Sequence, residues 1–142
     1  MNSQFNILID KISVKEYLEI RSKVKWKVLS QTQAQKALSN SIYTVGAYDG
    51  DRLIGMGRIV GDGAVICYIQ DLIVIPEYQK QGVGSLVLST LIDLVKKLGE
   101  EETDMMLCLM CAKGREHFYE KHGFIARPTD GLGPGMIQYL KL

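Results

Sequence analysis

Cysteine is scarce, at three residues in 142, and the spacing Cys108-x-x-Cys111 has no second pair with which to build a zinc set. The two histidines, His117 and His122, lie in or beside a different predicted helix. A redox or zinc pair is therefore the weaker reading. Cys67, Cys108 and Cys111 fall in apolar, strand-like runs and are expected to be buried structural thiols, with no metal. An excess of one charge sign is also missing. Seventeen basic residues face sixteen acidic ones, a net charge of +1, so neither nucleic acid nor a membrane surface is called for as a partner. No apolar segment approaches membrane-spanning length, and the N-terminal residues lack the basic-then-apolar order of a secretion signal. Repeats and low-complexity tracts are absent too. What remains is one domain over residues 1–142, long enough for a single sizeable core and expected to be soluble and cytoplasmic.

The informative stretch is Gln79-Lys80-Gln81-Gly82-Val83-Gly84. Before it, Ile69 to Ile75 reads as a buried strand ended by Pro76. After it, Leu86, Val87, Leu91, Leu94, Val95 and Leu98 recur at helical spacing, and Gly99 follows Lys96 and Lys97 as a C-cap should. Two glycines thus sit at the entry to a helix that directly follows a strand. Backbone N–H groups bare of side chains, together with the positive helix end, make a socket for a phosphate or pyrophosphate. The pattern is not the dinucleotide fingerprint, because Val87 stands where a third small residue is needed, and no Gly-Lys-Ser/Thr follows to make a Walker loop. A helix-capping turn without a ligand is the bland alternative.

The stretch resembles the Gln/Arg-x-x-Gly-x-Gly/Ala signature of the GCN5-related N-acetyltransferases (GNAT), preceded by the similar approach strand Asp71-Leu72-Ile73-Val74-Ile75-Pro76-Glu77-Tyr78. Phe118-Tyr119-Glu120-Lys121-His122-Gly123-Phe124 resembles that family's downstream motif, after the apolar run Met105 to Met110. Together the two motifs and their elements cover the second half of the chain. The resemblance implies an α/β (α+β) fold: a central, twisted, mixed and mostly antiparallel sheet, helices on both faces, and a splayed strand pair holding acetyl-CoA. A homodimer is implied by the same analogy.

Coarse patterning supplies the element order. Phe5 to Ile9 is a predicted strand. Ser13 with Glu16 makes a capping box for a helix running to about Trp26, and Thr32 to Leu38 is a second short helix. Tyr43 to Tyr48 and Arg52 to Val60 are strands joined by a hairpin at Asp49-Gly50-Asp51. Gly61-Asp62-Gly63 turns into a long strand, Ala64 to Ile75. The Gly82/Gly84 helix, a strand near Met105 to Met110, the Tyr119 helix and strands near Phe124 and Ile137 complete the order. Gly131 to Gly135 reads as a loop.

By resemblance, the cofactor's pantetheine arm pairs with the backbone of Leu72, Ile73 and Val74, and its pyrophosphate sits on Gln79, Lys80, Gln81, Gly82, Val83, Gly84 and Ser85. The family tyrosine that protonates the departing thiolate maps to Tyr119, and the Val74 N–H is placed to hold the oxyanion. The reaction implied is direct attack on acetyl-CoA by a primary amine of a small molecule in a ternary complex. A protein lysine or N-terminus as acceptor, and a sensor without turnover, are the alternatives.

The proton acceptor departs from the family pattern. Where some relatives carry Glu or His on the long strand, this chain has Tyr68 and Gln70, neither a good base near neutral pH. Asp71 has the wrong strand parity unless a bulge re-aims it. His117 reads as a helix-surface residue. Ala112 stands where many relatives have asparagine. Trp26, Tyr43, Tyr68, Gln70 and Met136 are the candidate acceptor-pocket residues, with Trp26 or Tyr68 able to face a cation.

Overall fold

In the computed structural model, which describes residues 4–142, local sequence signals set most element ends. The Ser13 hydroxyl accepts the Glu16 N–H at 3.1 Å, and the Glu16 carboxylate accepts the Ser13 N–H at 2.9 Å. This reciprocal cap opens α1, Val14–Lys23. Ser30 and Gln33 make the same box ahead of α2, Gln31–Ser39. Helix α1 stops three residues before the predicted Trp26. Lys25 turns left-handed (φ 58°), and the Trp26 N–H bonds back to the Arg21 carbonyl at 3.2 Å. That is a Schellman closure, which satisfies the last carbonyls and ends the helix.

The strands are β1 (Asn6–Ile9), β2 (Tyr43–Asp49), β3 (Arg52–Gly61), β4 (Ile66–Val74) and β5 (Met106–Leu109). They form one five-stranded sheet in the order β1-β2-β3-β4-β5. Every pairing is antiparallel except β4 with β5, so the sheet is mixed and mostly antiparallel. The turn Gly50-Asp51 joins β2 to β3 as the hairpin signal predicts, with Asp49 opposite Arg52.

Strand alternation assigns the faces. Gly57 faces α3 (Val83–Leu98), where an added Cβ would lie 2.6 Å from Leu91 Cδ1. The next residue, Arg58, reaches Tyr17 of α1 and the C-terminal end of α2 from the other side. Helices therefore flank both faces, α3 on one and α1 and α2 on the other. Helix α3 buries Val83, Val87, Leu88, Leu91, Leu94 and Val95 against the sheet. Its approach depends on the missing side chain of Gly57. A Gly57→Val substitution is expected to lower stability by about 1–3 kcal/mol through overpacking, measured by chemical denaturation.

The chain divides into two compact units, Met1–Leu109 and Met110–Leu142. The first carries all five strands and α1 to α3. The second carries α4, Glu116–Glu120. The strands expected near Phe124 and Ile137 are not formed. Gly123 takes φ 92°, and the Phe124 N–H turns back to the Tyr119 carbonyl at 3.2 Å, so it is spent on the helix end rather than on a ladder. Further on, Thr129 Oγ1 accepts the N–H groups of Gly131 and Leu132 in a local turn. Ile125 and Ile137 are exposed and have no strand partner among the described residues. Cys67 is buried and Cys108 half-buried as expected, whereas Cys111 is exposed. Among the described residues no helix is long and apolar enough to cross a membrane, and no His/Cys/Asp/Glu group is placed to hold a metal ion.

Candidate active site

Strand β4 organises the site. Its pairing with β5 ends at Ile69 opposite Leu109, while β4 itself runs on to Val74 with β3 as its only strand partner among the described residues. The β3 register fixes which amides face the open side. The Ile75 N–H bonds to the Ile54 carbonyl at 3.0 Å, so Ile75 and, two residues earlier, Ile73 point their polar groups at β3. Val74 and Leu72 point theirs at the open edge. Ile73 thus departs from the sequence reading in its backbone, which belongs to the sheet, while its side chain is buried in the core as expected.

Between Met56 and Arg58 of β3 lies one residue, Gly57, yet between their β4 partners Ile73 and Gln70 lie two, Asp71 and Leu72. This is a β-bulge, with Asp71 left-handed at φ 59°. It re-aims Asp71 onto the face of Gln70. The carboxylate, fully buried, is enclosed by donors. Oδ1 accepts Arg21 Nη1 at 2.8 Å and Gln70 Nε2 at 3.2 Å. Oδ2 accepts Arg58 Nε at 2.8 Å and the Tyr17 hydroxyl. Burial, then the bond to Asp71, pushes the Tyr17 phenol up. For Arg58, burial alone would lower the guanidinium, and the bond and charge of Asp71 outweigh it, so the net direction is up. Asp71 is a structural anchor, its lone pairs committed, and is no free base.

The Arg21 guanidinium also donates to the Lys27 carbonyl at 2.9 Å and lies 5.4 Å from the Trp26 ring. Trp26 does face a cation, but it is the protein's own. Tyr68 and Gln70, opposite Val60 and Arg58, share the α1/α2 face as alternation predicts. Tyr43 lies opposite Ile59 and in phase with Val45 and Gly57, which puts it on the α3 face. The sheet therefore separates Tyr43 from Tyr68 and Gln70, and the five-residue acceptor set expected from sequence loses that member.

Beyond Val74, a 3-10 turn (Pro76–Tyr78) leads to the glycine loop. Gln79 Nε2 donates to the Val74 carbonyl at 3.0 Å, and Gln81 Nε2 to the Glu77 carbonyl at 3.1 Å. Both side chains fasten the loop, leaving its backbone to meet a ligand. Lys80 and Gly82 are left-handed, at φ 63° and 84°. Gly82 is the N-cap of α3, with no side-chain cap and no atom within 4 Å of where a Cβ would stand. Val83 packs into the core, whereas Gly84 and Ser85 are half-buried in the first turn. An uncapped helix start beside an open strand edge suits an elongated ligand with a phosphate at one end.

In the second unit, Tyr119 packs edge-on to Phe118 and Phe124, with ring centroids 5.1 and 5.9 Å away. Burial, then the Cys111 thiol, pushes its phenol up against the opposing pull of Arg115. It therefore carries its proton at neutral pH. His117 is exposed on α4, and Met136 is exposed as well. The residues missed by sequence reasoning are Tyr17, Arg21 and Arg58. A signal was present: Arg58 and Asp71 are lone charges inside apolar strand runs, and such charges need partners.

Residues 9–124 match the model of the acetyltransferase (GNAT) family. An uncharacterised N-acetyltransferase of Prochlorococcus marinus is 28% identical over 134 residues, covering 89% of this chain and 72% of that protein. Among solved structures, a Staphylococcus aureus protein of unknown function described as a probable acetyltransferase is 32% identical, with a TM-score of 0.83 over 97% of this chain and 99% of that one. A GNAT-family acetyltransferase of Streptococcus pneumoniae is 28% identical, with a TM-score of 0.77 over 97% and 99%.

Proposed function

Given that the chain belongs to the GNAT family of acetyltransferases, we propose that it moves an acetyl group from acetyl-CoA to the primary amine of a small molecule by direct attack in a ternary complex. The observation that carries this reading is continuity. The open β4 edge at Leu72 and Val74 leads within ten residues into the uncapped start of α3 at Gly82. Leu72 and Val74 would pair with the amides of the pantetheine arm, and the backbone from Lys80 to Ser85 would take the pyrophosphate. Bound acetyl-CoA would supply an activated acetyl thioester. The Val74 N–H would then donate to the carbonyl oxygen as negative charge builds on it. Tyr119, protonated at neutral pH, would give its proton to the departing sulfur.

An alkylamine of pKa about 10.4 is almost wholly charged at pH 7, so the nucleophile must lose a proton first. Asp71 is committed to its four donors, and His117 is exposed on α4. Gln70 and Tyr68 would hold a water through which the proton leaves. The test is thiol release from acetyl-CoA across an amine panel, with mass detection of the product, followed by kcat/KM against pH for two amines of different basicity. The rate is expected to rise with pH, tracking each amine's own ionisation. It should fall only at the far alkaline end, where Tyr119, its phenol raised above the ordinary tyrosine value by burial, loses its proton. One shared acidic limb near neutrality would establish an enzyme base and reject the water route. Acetyl-CoA binding without thiol release from any amine would reject turnover in favour of a sensor.

A further inference from the structure

A single carboxylate ties together four elements that meet at the site, and it does so from a strained backbone position. Asp71 is left-handed in the β4 bulge, a conformation that aspartate tolerates better than most residues. Through Tyr17 and Arg21 it holds α1. Through Arg21 it also holds the Schellman loop, by the Lys27 carbonyl and the Trp26 ring. Through Arg58 it holds β3 and the end of α2, where Arg58 Nη1 reaches Ser41 Oγ at 3.2 Å and the Ala37 carbonyl at 3.4 Å. Next in sequence to Asp71 is Leu72, the first residue whose N–H faces the open edge.

We propose that Asp71, clamped by Arg21 and Arg58, is a positioning residue that sets the β4 bulge and so aligns the Leu72 and Val74 amides with the acetyl thioester. The inference rests on the acetyl-CoA reading above. It adds that alignment is imposed from the α1/α2 side of the sheet, by residues that touch neither cofactor nor acceptor.

The clamp makes a prediction that a merely supportive cluster would not. The glycine loop, which lies past Val74 and is fastened by Gln79 and Gln81, would anchor the pyrophosphate without help from the bulge. Loosening the clamp should therefore misalign the reacting carbonyl while leaving most cofactor affinity intact. Asp71→Asn keeps the size and the tolerance for a left-handed backbone but removes the charge. Arg21→Met releases one arm and leaves a balanced Asp71–Arg58 pair, so it is the variant better able to fold.

The experiment compares both variants with the wild-type protein. It uses calorimetry with acetyl-CoA, kcat at saturating acetyl-CoA and the most active amine of the panel, and the acetyl-CoA-induced shifts of the Leu72 and Val74 amides in ¹⁵N-labelled protein. In each folded variant kcat is expected to fall about 10–100-fold, the scale of a misplacement on the order of 1 Å. Acetyl-CoA affinity should change less than about threefold, roughly 0.65 kcal/mol, and the two amide shifts should differ from those of the wild type. Wild-type kcat in folded Arg21→Met and Asp71→Asn overturns the proposal. So does a parallel loss of kcat and affinity, or loss of the fold in both variants, since either would reduce the cluster to structural support. Absence of acetyl-CoA binding by the wild type itself would instead reject the underlying cofactor reading, before any variant is compared.

Discussion

Tyr119→Phe is expected to lower kcat by about 10²–10⁴-fold, the usual contribution of a general acid, with acetyl-CoA affinity nearly unchanged. The substitution is conservative in the sense that matters. The ring of Tyr119 is gripped edge-on by Phe118 and Phe124, and phenylalanine keeps both contacts. Only the hydroxyl goes. Because burial raises its pKa, the wild-type phenol keeps its proton through the whole neutral range. The measurement is single-turnover acetyl transfer, which isolates the chemical step. Wild-type rates in that assay would remove Tyr119 from the reaction. A second signature should accompany the loss: thioesters whose thiol is more acidic should suffer less, since their thiolate needs the proton less.

Gly84→Val is expected to weaken acetyl-CoA binding about 10–100-fold, the equivalent of losing one hydrogen bond to a charged group, at about 1.5–3 kcal/mol. Position 84 separates ligand contact from backbone strain. Gly82 takes φ 84°, where any side chain is strained even though the space around it is open. Gly84 lies inside the first turn of α3 and is not among the residues with positive φ, so valine can adopt its conformation. The folded variant should therefore unfold close to the wild-type temperature while calorimetry shows the affinity loss. Unchanged affinity in a folded protein would remove the phosphate assignment from this helix start.

The sequence made the scaffold of the site legible wherever the causes were local. Ser13 and Glu16 are a cap within one turn, Asp49-Gly50-Asp51 is a hairpin within four residues, and the Gly82 helix follows from periodicity. Such signals need no knowledge of distant partners. What could not be read was set by pairing across the sheet. The bulge at Asp71 arises because one residue of β3 faces two of β4, and nothing within β4 alone announces it. Tyr17 and Arg21 come from α1 and Arg58 from β3, two segments as far as 54 positions from Asp71. The face of Tyr43 depends on the β2–β3 register, not on its own neighbours. The missing strand at Phe124 shows the converse error: an apolar residue with strand preference forms no strand when its N–H is taken by a helix end.

A strand edge that ends its pairing early is adhesive. The Leu72 and Val74 amides would template any extended chain, and proteins with such an edge are prone to stick to their own copies. A ligand laid along β4 covers that template. It also shifts the folding equilibrium, by about 2.7 kcal/mol at a hundredfold excess over its dissociation constant. The shelf life of this protein in solution is therefore expected to lengthen when a ligand fills that edge. The same few amides that would orient a thioester also decide whether the empty molecule stays dispersed.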